Sequence, residues 1–452
     1  MARTLIEERV SVGRRYLRAV DIERDLLDPN ALEGYILTPS VRDGLERIVS
    51  GLSGDSSQRA FRVTGPYGCG KSSFGLLLAR IFLNEGRDGT ARRLLRQAIG
   101  DVGVPSYLPV VLVGRRASLA DDILRALIET AGSPTGRDRA TLAEAKKILA
   151  MRGEGQRDVR VVLKLLCGYA DRLKEKKGCG LLLLIDEMGR YLEFAAANPE
   201  REDPSVFQIL AESAGGFAVA ALGVVGFLHH RFGDYVAGLG EWVEGEWARS
   251  SERYEEIAFQ ESTEQTLHLM AEALNPVGAH AAGVRKAARS LYSEACSRQL
   301  FATSASRVEK LAESLYPIHP ATLSCLASTS RRFGQNERSV FSFLQSLEPG
   351  GFRRFVHGNE YSPVTWYRLD ELYGYLSTQS SFRFRSAERE KRWQLAADAV
   401  LMCADMDPLH LSVLKVAGVM SVLEPLPGLE CNSTDVAWSL GIEEDEAGEA
   451  LE

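Results

Sequence analysis

The chain has 452 residues, 45% apolar and 25% charged, an ordinary balance for a folded, water-soluble chain with room for two to four domains. A net charge of −7 excludes a surface that attracts nucleic acid as a whole, so any DNA contact has to be a local basic patch. Seven scattered cysteines without a C-x-x-C pair argue against a disulfide framework or a zinc site and point to a reducing cytoplasm. Residues 1–20 carry charges throughout, unlike a signal peptide, and no apolar run approaches the ~20 residues that span a bilayer.

Residues 1–34 read as charged and partly helical. Gly34-Tyr35-Ile36-Leu37-Thr38-Pro39 follows as an extended segment, with Ser40 expected to cap a helix over Val41–Leu52. Phe61–Thr64 reads as a short buried strand that runs into Gly65-Pro66-Tyr67-Gly68-Cys69-Gly70-Lys71-Ser72-Ser73 and then an apolar helix. This is the G-x-x-x-x-G-K-S pattern in the strand–loop–helix context that gives it meaning. Glycines at 65, 68 and 70 let the backbone wrap a phosphate with its N–H groups inward, and the helix N-terminus favours the same anion. Lys71 is placed for the β- and γ-phosphates, and Ser72 for a Mg²⁺ ion. The residues predict a bound nucleoside triphosphate, and ATP rather than GTP because no Asn-Lys-x-Asp guanine reader is present.

A helical stretch at Ala91–Ile99 precedes a β-rich run at Tyr107–Val113 and a helix over Leu119–Ala131. Residues 132–157 look like a polar surface insertion, and Val159–Leu173 like a helix ending in solvated lysines. Leu181-Leu182-Leu183-Leu184-Ile185-Asp186-Glu187 is the second informative stretch. A continuous apolar run ending in two carboxylates predicts a central parallel strand with its acids at the ligand-binding edge. Asp186 is expected to serve the metal and Glu187 to polarise the attacking water. Phe217–Phe227 predicts another buried strand, with His229 at its end as the candidate γ-phosphate sensor. A last strand over Tyr254–Phe259 follows Arg249 and Arg253.

This succession of strands resembles the AAA+ ATPases. The resemblance implies an α/β P-loop core with sheet order 5-1-4-3-2 over residues 40–260, after an N-terminal segment 1–39. It implies an arginine finger at Arg253, or else Arg249, that reaches a neighbouring subunit, and hence a homo-oligomer with shared nucleotide sites. It also implies an adenine pocket near Tyr35 and Ile36. A helical lid over 261–349 would carry an arginine toward the γ-phosphate, matching Arg338, with Arg331 and Arg332 as alternatives. Residues 350–394 read as a connector with a mixed-charge run, Arg383–Arg392. Residues 395–452 read as a winged-helix-like module whose wing is missing, so the chain reads as part of something longer.

Tyr316-Pro317-Ile318-His319-Pro320 together with Gln335-Asn336-Glu337-Arg338-Ser339 resembles, more narrowly, the large ATPases of bacterial anti-phage loci of the BREX and phage-growth-limitation kind. That likeness implies a protein effector or partner subunit. One departure from the pattern is that the sensor strand lacks the usual terminal Asn, Ser or Thr, which predicts slow or conditional hydrolysis. The last helix opens on Glu443-Glu444-Asp445-Glu446, and four carboxylates repel phosphates, so that helix reads as a packing or protein-contact element.

Overall fold

The computed structural model describes residues 4–13, 20–54, 56–66, 68–83, 89–151, 158–215, 221–229, 249–259, 263–301, 305–332, 340–378 and 386–451. The chain divides into two compact units: residues 20–260 form one, and residues 1–19 with 261–452 form the other.

The first unit is built on a five-stranded parallel sheet. A three-residue strand near the N-terminus is β1 (Val10–Val12) and belongs to the other unit. Those of the sheet are β2 (Ala60–Thr64), β3 (Tyr107–Val113), β4 (Gly180–Asp186), β5 (Leu222–Leu228) and β6 (Glu255–Ala258). Their spatial order is β3-β4-β5-β2-β6. Counted from the P-loop strand, this is the expected 5-1-4-3-2.

The run 181–185 shows why five consecutive apolar residues make a central strand. Every residue of β4 is buried. Side chains alternate between faces in a strand. Leu181, Leu183 and Ile185 enter a core with the helices Leu119–Gly132, Val159–Lys177, Met188–Ala197 and Val206–Ala214. Leu182 and Leu184 enter a second core with the helices Pro39–Ser53, Lys71–Leu83 and Gly89–Ile99. The sheet therefore lies between two helical layers, and its central strands β4 and β5 are buried along their whole length.

Two local expectations are corrected. The helix expected from Val41 begins at Pro39, with Thr38 as its N-cap: the Thr38 hydroxyl accepts from Val41 N–H at 3.3 Å, and Pro39 supplies a first turn with preset φ. The insertion expected at 132–157 contains a helix, Arg139–Ala150. Its apolar face is short, with Thr141 and Ala145 as its buried residues, so the hydrophobic period is faint. Its N-cap residue, Asp138, is buried and binds Arg172 Nε at 2.8 Å, which ties it to the neighbouring helix.

The second unit is mainly helical. Leu274–Pro276 forms β7, which pairs antiparallel with β1, so part of the N-terminal segment is integral to this unit. Helices from Thr263 to Leu451 share one hydrophobic core. Tyr316-Pro317-Ile318-His319-Pro320 lies inside it. Tyr316 donates to the Ser362 carbonyl at 3.0 Å, and His319 Nδ1 accepts from Ala321 N–H at 3.2 Å. These residues are packing elements of the unit. Ser433–Leu440 ends at Gly441 in left-handed backbone (φ 67°), and Glu444–Leu451 follows with Glu444, Asp445 and Glu446 in its first turn. Carboxylates there complement the helix dipole. Among the described residues no helix is long and apolar enough to cross a membrane.

Candidate functional site

The site lies where β2, β4 and β5 end together. Thr64 pairs with Leu228, and the N–H of Gly65 donates to the Leu228 carbonyl at 3.1 Å, so the glycine loop starts against the end of β5. Each glycine has its own reason to be there. A Cβ on Gly65 would lie 2.6 Å from the Phe259 carbonyl oxygen and 2.8 Å from Cys69 Sγ, so no side chain fits. Gly68 and Gly70 have φ of 73° and 90°, which favour glycine. The loop passes into the helix at Lys71, where Phe74 N–H donates to the Gly70 carbonyl at 2.8 Å.

Lys71 is buried, with 5% of its surface exposed, and its ammonium donates to the carbonyls of Gly65 at 2.6 Å and Pro66 at 2.8 Å. Burial pushes its pKa below the usual lysine value, while Cys69, Asp186 and Glu187 pull the other way. Asp186, 8% exposed, shows the mirror image. Burial raises its pKa, opposed by a hydrogen bond from the Ser72 hydroxyl, another from Glu187 N–H at 3.0 Å, and the charge of Lys71. Two segments far apart in sequence thus place Lys71, Ser72, Asp186 and Glu187 in one electrostatic cluster. Hard oxygen donors from Ser72 and Asp186 suit Mg²⁺, which takes one or two protein ligands beside phosphate and water.

Glu187 is the N-cap of the helix Met188–Ala197 and stands in left-handed backbone (φ 49°, ψ 40°). Its carboxylate meets Arg190 Nε at 2.6 Å. Against its backbone lies Gly114, the residue after β3. Gly114 N–H donates to the Asp186 carbonyl at 2.8 Å, and a Cβ there would come within 2.1 Å of the Glu187 carbonyl oxygen. Sequence reasoning missed both neighbours. A glycine directly after a β-run was the only available sign for Gly114, and an arginine three residues past the acid for Arg190.

The remaining candidates fall in different places. His229 directly follows β5, beside the start of the glycine loop. Tyr35 packs at the edge of the core that contains Phe74, and Ile36 follows it. Arg253 precedes β6, at the opposite end of the sheet from the glycine loop. It is 56% exposed, and its Nε lies 3.4 Å from Glu212. Its backbone is held in place by Gln58, which donates to the Arg253 carbonyl at 3.1 Å. A strand of β2's length, roughly 15 Å, separates it from the loop of its own chain. Pro66, Cys69, Ser72 and Ser73 sit in the loop and first helical turn, whereas Tyr67 and Arg338 lie outside the described residues, as do the side chains of Arg331 and Arg332.

Two expectations follow. Gly114→Ala has to displace the 186–187 turn, and a shift of ~1 Å at a reacting group costs on the order of 10²-fold in rate. Hydrolysis of a bound triphosphate should fall by about that factor while binding persists, as steady-state assays beside a nucleotide titration will show. Asp186 has its pKa raised in the folded state, so its ionised form costs stability at pH above that raised value, and the cost fades as pH falls through it. Asp186→Asn should therefore melt above wild type at neutral pH, with the difference shrinking on acidification; thermal unfolding across a pH series checks it.

No family model matches the chain, and no curated protein matches it. Among solved structures it is similar to the Aeropyrum pernix ORC1 protein in complex with DNA (15% identity, 95% of this chain and 85% of that one, TM-score 0.33). It is also similar to a Walker-type ATPase of Pyrococcus abyssi, PABY2304 (12% identity, 91% and 87%, TM-score 0.31). A third is the Aeropyrum pernix ORC2 protein in ADPNP–ADP complexes (13% identity, 95% and 96%, TM-score 0.38). At such TM-scores these likenesses say nothing further of this chain, whose α/β P-loop core is evident in its own strand order and glycine loop.

Proposed function

We propose that this chain binds ATP with Mg²⁺ and hydrolyses it. The reading is carried by one observation: the glycine loop with buried Lys71, and buried Asp186 under the influence of Ser72 and Lys71, stand together at the end of a parallel sheet where ligands bind. In this reading Lys71 and backbone amides between Gly68 and Ser73 hold the phosphates. Ser72 and Asp186 would hold the ion, whose charge would offset that of the phosphates. Glu187 takes the proton of the attacking water. Tyr35 and Ile36 flank the adenine, and His229 senses the γ-phosphate.

Arg253 cannot serve its own chain's loop from the far end of the sheet. Its finger role therefore belongs to a second copy, with ATP shared between subunits of an oligomer. Residues 261–349 act as a lid in this reading, with Arg338 toward the γ-phosphate, 350–394 as a connector and 395–452 as a winged-helix-like module. Such an ATPase drives or gates a larger complex through a partner subunit, in anti-phage defence or a DNA transaction. A second reading is a signalling switch of the STAND class, in which ATP holds an assembly together and slow hydrolysis resets it. The end of β5, which offers His229 in place of Asn, Ser or Thr, and the ion pair on Glu187 favour a slow step. A replication-initiator role is disfavoured by the acidic first turn of Glu444–Leu451.

Glu187→Gln should abolish turnover and leave ATP binding intact, measured by phosphate release beside a binding titration. Arg253→Ala should lower turnover without weakening ATP binding, and the specific activity of wild type should rise with protein concentration. Turnover that survives Glu187→Gln removes Glu187 from the role of base. A specific rate that is flat with concentration removes the shared site. Steady turnover separates the first reading from the second, which predicts one slow turnover in ATP-locked oligomers.

A further inference from the structure

The carboxylate that would activate water is already engaged. Glu187 Oε2 lies 2.6 Å from Arg190 Nε, and the two side chains are 26% and 45% exposed. Three residues beyond Arg190 is Glu193, whose carboxylate is 3.6 Å from Arg116. Residues three apart are neighbours on a helix, so Arg190 has a carboxylate within reach on either side, Glu187 before it and Glu193 after it. Arg116 comes from the segment whose Gly114 touches the Glu187 backbone. The end of β3 thus meets both the base and the residue that could draw Arg190 away from it.

We infer that Arg190 is a positioning residue that holds Glu187 in a resting pose, and that hydrolysis requires Arg190 to pass from Glu187 to Glu193. The inference rests on the ATPase reading above. A base must accept a proton from water, and the Arg190 guanidinium occupies the Glu187 oxygen that would take it. An ion pair of this exposure biases a population by a factor of about two to five, a bias that a competing carboxylate can overcome. Two arrangements of similar energy, with one base-competent, make hydrolysis responsive to whatever moves Arg116. The left-handed backbone at Glu187 confines the carboxylate to the space above the first helical turn, where Arg190 reaches it.

The test uses the full chain with Mg²⁺ and saturating ATP. Wild type and Glu187→Gln come first: ATP binding without turnover in wild type sinks the ATPase reading itself, whereas equal turnover in both overturns Glu187 as base and with it the resting pose. Given Glu187-dependent turnover, Arg190→Ala should raise kcat about two- to five-fold with KM unchanged. Arg190→Lys, which keeps the charge but not the planar fork, should raise it less. Arg190→Ala combined with Glu187→Gln should show no turnover, because Arg190 acts only through Glu187. Glu193→Ala should lower kcat, since Arg190 loses its other partner. If Arg190→Ala misfolds, Arg190→Gln keeps the stem without the charge and carries the same expectation. A kcat that falls or stays level on removing the Arg190 charge overturns the resting pose, and a level kcat in Glu193→Ala overturns the transfer.

Discussion

Two opposite charges taken out of water at one edge of a sheet are what the rest of this protein is arranged around. Lys71 and Asp186 are each almost fully buried, and burial disfavours the charged form of both. Removing charge from water is tolerated when partners are close, and here they are: two carbonyls for the ammonium, the Ser72 hydroxyl and an amide for the carboxylate. Such a pair is well matched to a ligand that is itself a polyanion with a divalent cation, because each charge then gains a stronger partner without further desolvation. The surrounding fold works to keep this geometry. Phe259 N–H donates to the Thr64 carbonyl at 2.6 Å, and the crowding at Gly65 leaves the loop one path.

The second carboxylate obeys a different rule. Glu187 is partly exposed, sits just past the strand, and is oriented by neighbours rather than by burial. Gly114 presses on its backbone and Arg190 on its side chain. Asp186 belongs to the sheet, with Val113 opposite it in register, whereas Glu187 lies past the strand as the N-cap of the next helix. Two adjacent acids thereby acquire two mechanical characters. One is held by burial in the sheet, and the other by an ion pair at a partly exposed helix start.

The helical unit shows a comparable division between pattern and use. His319, in one of the stretches that carry the narrower resemblance, is fully buried, and burial drives its pKa well below the usual histidine value. Its Nδ1 accepts a backbone N–H, so the ring is a packing group. The acidic start of the last helix has a local explanation in the helix dipole, independent of any partner.

What could be read from residues alone was whatever the local chain dictates. G-x-x-x-x-G-K-S has one geometry because glycine and the helix terminus leave few others, and an apolar run closed by Asp186-Glu187 makes a buried strand because nothing else hides five consecutive large side chains. Strand order was not among these: it was implied by the resemblance to the AAA+ ATPases. The short helix at Arg139–Ala150, the pairing of β1 with β7 and the Thr38 cap were not legible in this way. Their stability comes from partners distant in sequence or from a single hydroxyl, and neither leaves a period in the chain. Only the tertiary structure decided that Ser72 meets Asp186, that Gly114 is pressed against Glu187, and that Arg253 stands at the far end of the sheet from the loop. Those are consequences of register and of parallel strand direction, which set distances between segments that the sequence merely names.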